Sequence, residues 1–274
     1  MTGRKTTRFF TYGFMIILTL ICLVPFLIMM VNATQTSADL AGTMTLLPGK
    51  NTVNNYKNLM ALIPFWRYVV NSVAVTIPNV LISAYFGTMA AYGFEKFTFR
   101  GKNILFGISM LMMVIPGQIS LIGLHQVYKA MGLLNTRWTL ILPGIANVLT
   151  VYWMRGNIYQ IIDSSILEAA TIDGCGQVQI FHRIVLPLCK TGIMTISIMN
   201  FVHVWNDYIN PVTYITTNSK QTLSVGIALL KSFDRPDLGA TYMAVALSTI
   251  VILIFYLVFS SQIIGGVTEG SVKG

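Results

Sequence analysis

Residues 155–190 read RGNIYQIIDSSILEAATIDGCGQVQIFHRIVLPLCK, a polar, small-residue segment set between two uncharged apolar runs. Two short helices are expected within it. Ser165-Ile166-Leu167-Glu168 reads as a capping box, Ser165 accepting from a backbone N–H and Glu168 reaching back. Ile162, Ile166, Ala169 and Ala170 then recur at helical spacing and give a small apolar face. Gly174 and Gly176 break that helix and permit a tight turn. A second amphipathic segment, Val178 to Val185, ends at Leu186-Pro187, so the stretch forms a helix–turn–helix. Its alanines and glycines let a partner surface approach closely.

Outward from this segment charges sit in short clusters separated by long uncharged stretches. Of 274 residues, 54% are hydrophobic and 10% charged, against about 25% charged in soluble domains. A helix needs about 20 apolar residues to cross the hydrocarbon core. Six uncharged runs approach that length: Phe9–Val31, Tyr68–Phe94, Asn103–Leu124, Trp138–Met154, Thr191–Trp205 and Leu238–Gly266. They do not alternate as barrel strands would, so the fold class is all-α, a polytopic membrane protein with about six transmembrane helices. Phe9–Val31 is too long for the core of a signal peptide and is read as a retained first span. Pro78-Asn79, Pro116-Gly117 and Pro143-Gly144 are helix breakers within these runs.

The net charge of +9 belongs to residues flanking the apolar runs, where it meets lipid headgroups or fixes topology. No basic stripe is interleaved with aromatics, so nucleic acid is not an expected partner. With the N-terminus inside, the inner segments hold ten Lys and Arg and the outer ones eight. The local bias is stronger: Arg4, Lys5 and Arg8 precede the first run, and Lys96, Arg100 and Lys102 separate the second from the third. Both place the N-terminus in the cytoplasm, with residues 155–190 on the same side. Tyr68, Trp138, Trp153, Trp205 and Tyr208 fall near run ends, as an interfacial aromatic belt does. Cys22, Cys175 and Cys189 have no spacing that suggests a disulfide or zinc site and read as small apolar filler.

The segment also carries a family resemblance. Glu168-Ala169-Ala170, Asp173-Gly174 and Leu186-Pro187 resemble the EAA loop of ABC importer permeases, in which the loop docks into a cleft on an ATPase subunit. Asp163, Cys175 and Thr191 depart from the residues common there, but Asp163 can still start a helix as a cap. Tyr68-Val69-Val70-Asn71-Ser72, Ala90-Ala91-Tyr92-Gly93-Phe94, Ile115-Pro116-Gly117-Gln118, Trp205-Asn206-Asp207 and Gly265-Gly266-Val267 through Gly270–Gly274 are similar to the carbohydrate branch, specifically its smaller, second permease.

The resemblance implies a type I ABC importer permease fold, with residues 1–274 as one transmembrane permease domain and 155–190 as its cytoplasmic coupling loop. It implies a bacterial plasma (inner) membrane protein with both termini cytoplasmic. Its partners would be a different permease subunit, two ATPase subunits, an extracytoplasmic solute-binding protein, membrane lipid and a sugar, most simply an oligosaccharide. Glu168, Ala169, Ala170, Asp173, Gly174, Leu186 and Pro187 would couple to the ATPase.

Asn200, His203 and Asn206 share a helical face. An ionisable group at the bilayer centre costs about 2.5–3.5 kcal/mol by insertion scales and is often functional. Those three, with Pro116 and Gln118, are candidates for the translocation path, although interhelical hydrogen bonding is the simpler role for the span-five groups. No G-x-x-x-x-G-K-[S/T] loop occurs, so this chain is not expected to bind ATP or Mg, which fall to the ATPase subunit. No nucleophile elbow or His-rich metal pattern occurs either, so the chain is read as non-catalytic. An ion-coupled transporter would require intramembrane carboxylates, and the run interiors contain none. A channel would require a charged ring or filter sequence, which is also missing.

Overall fold

The computed structural model describes residues 2–42 and 46–271, with side chains described for residue 8, 10–42 and 46–258. Every regular element among them is helical. In chain order these are α1 (Thr2–Asn32), α2 (Ser37–Ala41), α3 (Thr52–Leu62), α4 (Phe65–Lys96), α5 (Lys102–Val114), α6 (Ser120–Ala130), α7 (Trp138–Ile141) and α8 (Val148–Ile161). They continue with α9 (Ser164–Ile172), α10 (Gln177–Ile180), α11 (Leu186–Leu188), α12 (Lys190–Trp205), α13 (Ile209–Tyr214), α14 (Leu223–Lys231) and α15 (Leu238–Ser271). The expected Gly270–Gly274 motif falls outside the residues whose side chains are described.

By length and composition three single helices can cross a membrane: Phe10–Asn32, Phe65–Lys96 and Leu238–Val258. Two further apolar runs are bent pairs, Lys102–Val114 with Gly117–Ala130 at 91° and Gln177–Leu188 with Lys190–Trp205 at 76°. The run Trp138–Met154 is not one helix. It is split into α7, a 3-10 turn over Leu142–Ala146, and α8, which continues past Met154 to Ile161. The chain is therefore a multi-pass membrane protein whose apolar runs are broken more often than their composition suggests.

The proline dipeptides do not act alike. Pro78 lies inside the continuous α4, so Pro78-Asn79 is not a break. Pro116 caps a right-angle bend, and Pro143-Gly144 opens the α7–α8 gap. The freed backbone at this gap is satisfied from α4, where Asn79 donates its Nδ2 to the carbonyl of Leu140 at 2.8 Å. In lipid that kind of replacement is obligatory, since no water is present to pair the orphaned group. Gly144 allows the approach: a Cβ there would lie 2.7 Å from the Asn79 carbonyl oxygen.

Two compact units are distinguished. One comprises residues 1–65 and 226–251, the other 66–225 and 252–274. In the first, Asp237 ties three segments together. Its carboxylate accepts from Ser37 Oγ at 2.7 Å, from Asn58 Nδ2 at 2.8 Å and from the Ala240 N–H at 2.9 Å. Partial burial pushes its pKa up, but these bonds outweigh that and hold it below the usual carboxylate range. Buried Asn55 completes the tie by donating to the carbonyls of Ala33 and Gln35.

In the second unit a core cluster runs through Ala91 and Tyr92 of α4, Met154 and Ile158 of α8, Ile180, Phe181 and Val185, Cys189 and Ile196. Asn200, expected as a path or packing residue, is buried beside it and fully paired. It donates to Thr150 Oγ1 at 2.9 Å and Ser83 Oγ at 3.1 Å, and accepts from Asn147 at 3.2 Å. The expected aromatic belt is partly core: Tyr68 and Trp205 are each 2% exposed, whereas Trp138, Trp153 and Tyr208 face outward. Cys189 is core filler, Cys175 is half-buried and Cys22 is exposed on α1.

Candidate functional site

The Arg155–Lys190 stretch folds as a jointed platform. The cap of its first helix, α9, lies two residues before the expected one. Asp163, not Ser165, is the cap, its carboxylate accepting from the Ser165 N–H at 3.0 Å. That bond, with the charge of Lys96 adding to it, holds the Asp163 pKa below the usual carboxylate range. The Ser165–Glu168 box does not form because Asp163 caps first and Ser165 lies inside the helix.

Helix α9 closes in a Schellman turn. Gly174 takes φ +82°, its N–H donates to the Thr171 carbonyl at 3.0 Å, and Cys175 N–H donates to the Ala170 carbonyl at 2.9 Å. The expected second helix is not uniform. Gln177–Ile180 is α-helical, Phe181–Val185 is a π turn, and Leu186–Leu188 is α-helical before the 76° bend. A π turn widens the helix by one residue, a feature frequent at functional sites.

The platform has two faces. Ala170, Ile180, Phe181 and Val185 point into the core, with Leu167 and Leu186 packed on its edge. Glu168, Ala169, Asp173, Gly174 and Pro187 are exposed, together with Ile172 at 85% and Val178 at 73% exposure. Of the residues singled out from the sequence, Ala170 and Leu186 therefore form the footing. Glu168, Ala169, Asp173, Gly174 and Pro187 form the outer face.

Three side chains of α4 hold the platform, and sequence reasoning did not assign them. Lys96 donates from Nζ to the Ile162 carbonyl at 2.6 Å. Tyr92 donates from its hydroxyl to Gln177 Oε1 at 2.9 Å. Tyr85 Oη and His182 Nε2 are 3.1 Å apart. His182 Nδ1 lies 2.8 Å from the Val178 carbonyl, which can only accept, so in the neutral ring Nε2 accepts from Tyr85. Positions 85, 92 and 96 are spaced seven and four, so the sequence places them on one face of a helix but does not say what that face meets. At the same end Glu95 pairs with Arg155 at 3.0 Å, and the Arg155 guanidinium sits 4.1 Å over the Phe106 ring.

The path candidates separate. His203 and Asn206 are exposed, Asn200 is not, and Pro116 and Gln118 lie exposed at the α5–α6 bend. His203 lines a cavity of about 120 Å³ with Thr76, Asn79, Asn147, Asp207 and Asn210. Among the described residues, Thr76 Oγ1 is buried there without a hydrogen-bond partner.

Residues 83–264 match the family described as binding-protein-dependent transport system inner membrane component. That span covers the platform, both helices flanking it and the part of α4 from Ser83 onward. The chain belongs to this family.

Its relatives in the family include three permeases of sugar systems. The diacetylchitobiose uptake system permease of Streptomyces coelicolor is 27% identical over 96% of this chain and 88% of its own length. The trehalose transport system permease of Mycobacterium tuberculosis is 30% identical over 84% and 85%. The polygalacturonan/rhamnogalacturonan transport system permease of Bacillus subtilis is 29% identical over 96% of both. In fold, this chain is similar to a chain of a bacterial ABC transporter that imports the acidic polysaccharide alginate. That match has a TM-score of 0.76 at 22% identity and covers 93% of this chain and 96% of the other. The all-α permease fold expected from the sequence is thus the fold observed.

Proposed function

We propose that the whole chain acts as one permease subunit of an ATP-driven sugar importer, paired with a different permease, two ATPase subunits and an external solute-binding protein. The observation that carries this is the two-faced platform: a footing locked into the core and an outer face of Ala169, Ile172, Gly174 and Val178 left open. Such a surface is suited to a rigid partner that pushes on it. The named relatives serve diacetylchitobiose, trehalose and polygalacturonan/rhamnogalacturonan systems, a range from two sugar units to a polysaccharide that brackets an oligosaccharide as cargo.

In this reading the chain holds no ATP or Mg itself; both belong to the ATPase docked on the platform, in the cytoplasm along with both termini. ATP binding closes the ATPases and displaces the platform, which biases the helices toward an outward-facing arrangement. Hydrolysis and release return them. Asn200 clamps α4, α8 and α12 together, while His203 and Asn206 face the path. The polar mouth at His203 and Asp207 offers sugar hydroxyls both donors and acceptors.

Ala169→Trp tests the docking role, because Ala169 is exposed and a larger side chain there leaves the footing intact. The variant is expected to insert normally, to lose the co-purifying ATPase and to lose uptake. Normal uptake with the ATPase retained would sink the assignment.

A further inference from the structure

The platform is joined to its own flanking helices by two joints. At one end Ile162 is extended (φ −101°, ψ 106°) between α8 and α9. At the other, Cys189 (φ −88°, ψ 8°) stands at the 76° bend into α12. A push on the outer face could be absorbed by swivelling at either joint. Lys96 removes that freedom at the first. The Ile162 carbonyl lies just past the last turn of α8, and the ammonium of Lys96 meets it at 2.6 Å, a charge-assisted bond stronger than a neutral one. Tyr92 repeats the hold beyond the Gly174 turn, at Gln177, and Tyr85 repeats it in the π turn, at His182. All three project from one face of α4, which is not adjacent to the platform in sequence. Phe181 reinforces this contact, its ring centroid lying 5.8 Å from that of Tyr85 and 6.0 Å from that of Tyr92.

We propose that Lys96, with Tyr92, is a positioning residue for coupling: it latches the α8–α9 joint to α4, so that displacement of the platform moves α4 instead of being lost at the joint. This rests on the coupling role proposed above for residues 155–190. A latch and a docking surface differ in what their loss does. Loss of the docking surface releases the ATPase, whereas loss of the latch leaves it bound but disconnects α4 from it.

The complex purified through a tag on this chain and reconstituted in nanodiscs provides the test. Backbone hydrogen–deuterium exchange is compared before and after trapping with Mg-ATP and vanadate, and the bound ATPase is quantified in the same sample. In the wild type, exchange is expected to change both at residues 155–190 and at residues 83–96. In Lys96→Met, which keeps the stem and loses the donor, the ATPase stays bound and residues 155–190 still respond. The response of residues 83–96 falls at least about threefold, and Lys96→Arg restores it. An undiminished α4 response in Lys96→Met overturns the latch, and so does loss of the ATPase from that variant, which would make Lys96 part of the docking surface. A wild-type platform that ignores ATP would instead overturn the coupling role itself, and the latch with it.

Discussion

Asn79 donates its side-chain amide to the carbonyl of Leu140 at 2.8 Å, so a continuous helix supplies the hydrogen bond that a broken one has lost. The break at Pro143-Gly144 is thereby tied to α4, and Gly144 is the residue whose missing Cβ lets the two backbones meet. Gly144→Val is expected to destabilise the permease by about 1–3 kcal/mol, the usual cost of forcing atoms into a packed site. Thermal unfolding in detergent measures it. An unchanged midpoint would mean that the two segments separate at little cost.

Asn200 is expected to be a structural residue. In Asn200→Leu three hydrogen bonds are lost among Ser83, Thr150 and Asn147, with Ser83 and Thr150 still able to pair with each other at 2.9 Å. The expected loss is roughly 1–3 kcal/mol, read as a lower unfolding midpoint. A variant with full stability but abolished sugar uptake would move Asn200 from the framework to the path.

Asp237 gives the acid limb of stability a specific origin. Its pKa is depressed in the folded chain relative to about 3.9 when unfolded. Its stabilising contribution is therefore complete above the unfolded value and is lost as the pH falls through the folded one. Asp237→Asn is expected to lower stability at neutral pH and to flatten the acid limb between roughly pH 4 and the folded pKa. Unfolding midpoints measured at several pH values would detect this, and parallel curves for variant and wild type would contradict it.

Cys175 is half-buried just past the Gly174 turn. A membrane-impermeant maleimide is expected to label it in inverted membrane vesicles and not in right-side-out ones. Labelling is expected to slow severalfold when the ATPase is docked. Labelling from the outer side would reverse the orientation read from Arg4, Lys5 and Arg8.

Much of the architecture was legible in the sequence because burial in lipid leaves a composition signal over twenty residues. The Gly174 turn was legible because a positive φ favours glycine. What failed was local. Pro78 and Pro143 look alike in sequence, yet only the second ends a helix, and the outcome depends on partners supplied by distant residues such as Asn79. Asp163 displaces the Ser165 cap because polar groups two residues apart compete for one helix start. Tyr68 and Trp205 looked interfacial because their depth in the membrane is readable, whereas the direction they face is not. In the sequence Lys96 reads as a topology charge. Its second role needs the Ile162 carbonyl, sixty-six residues away, which no local pattern encodes.

The most direct measurement is to tag this chain in its native membrane, purify it in mild detergent and quantify the co-purifying proteins by mass spectrometry. One further permease and two ATPase copies per tagged chain are expected, with the ATPase lost from Ala169→Trp. A chain that emerges alone, under conditions that keep a known importer intact, would contradict an ATP-driven importer subunit and return the field to an ion-coupled transporter.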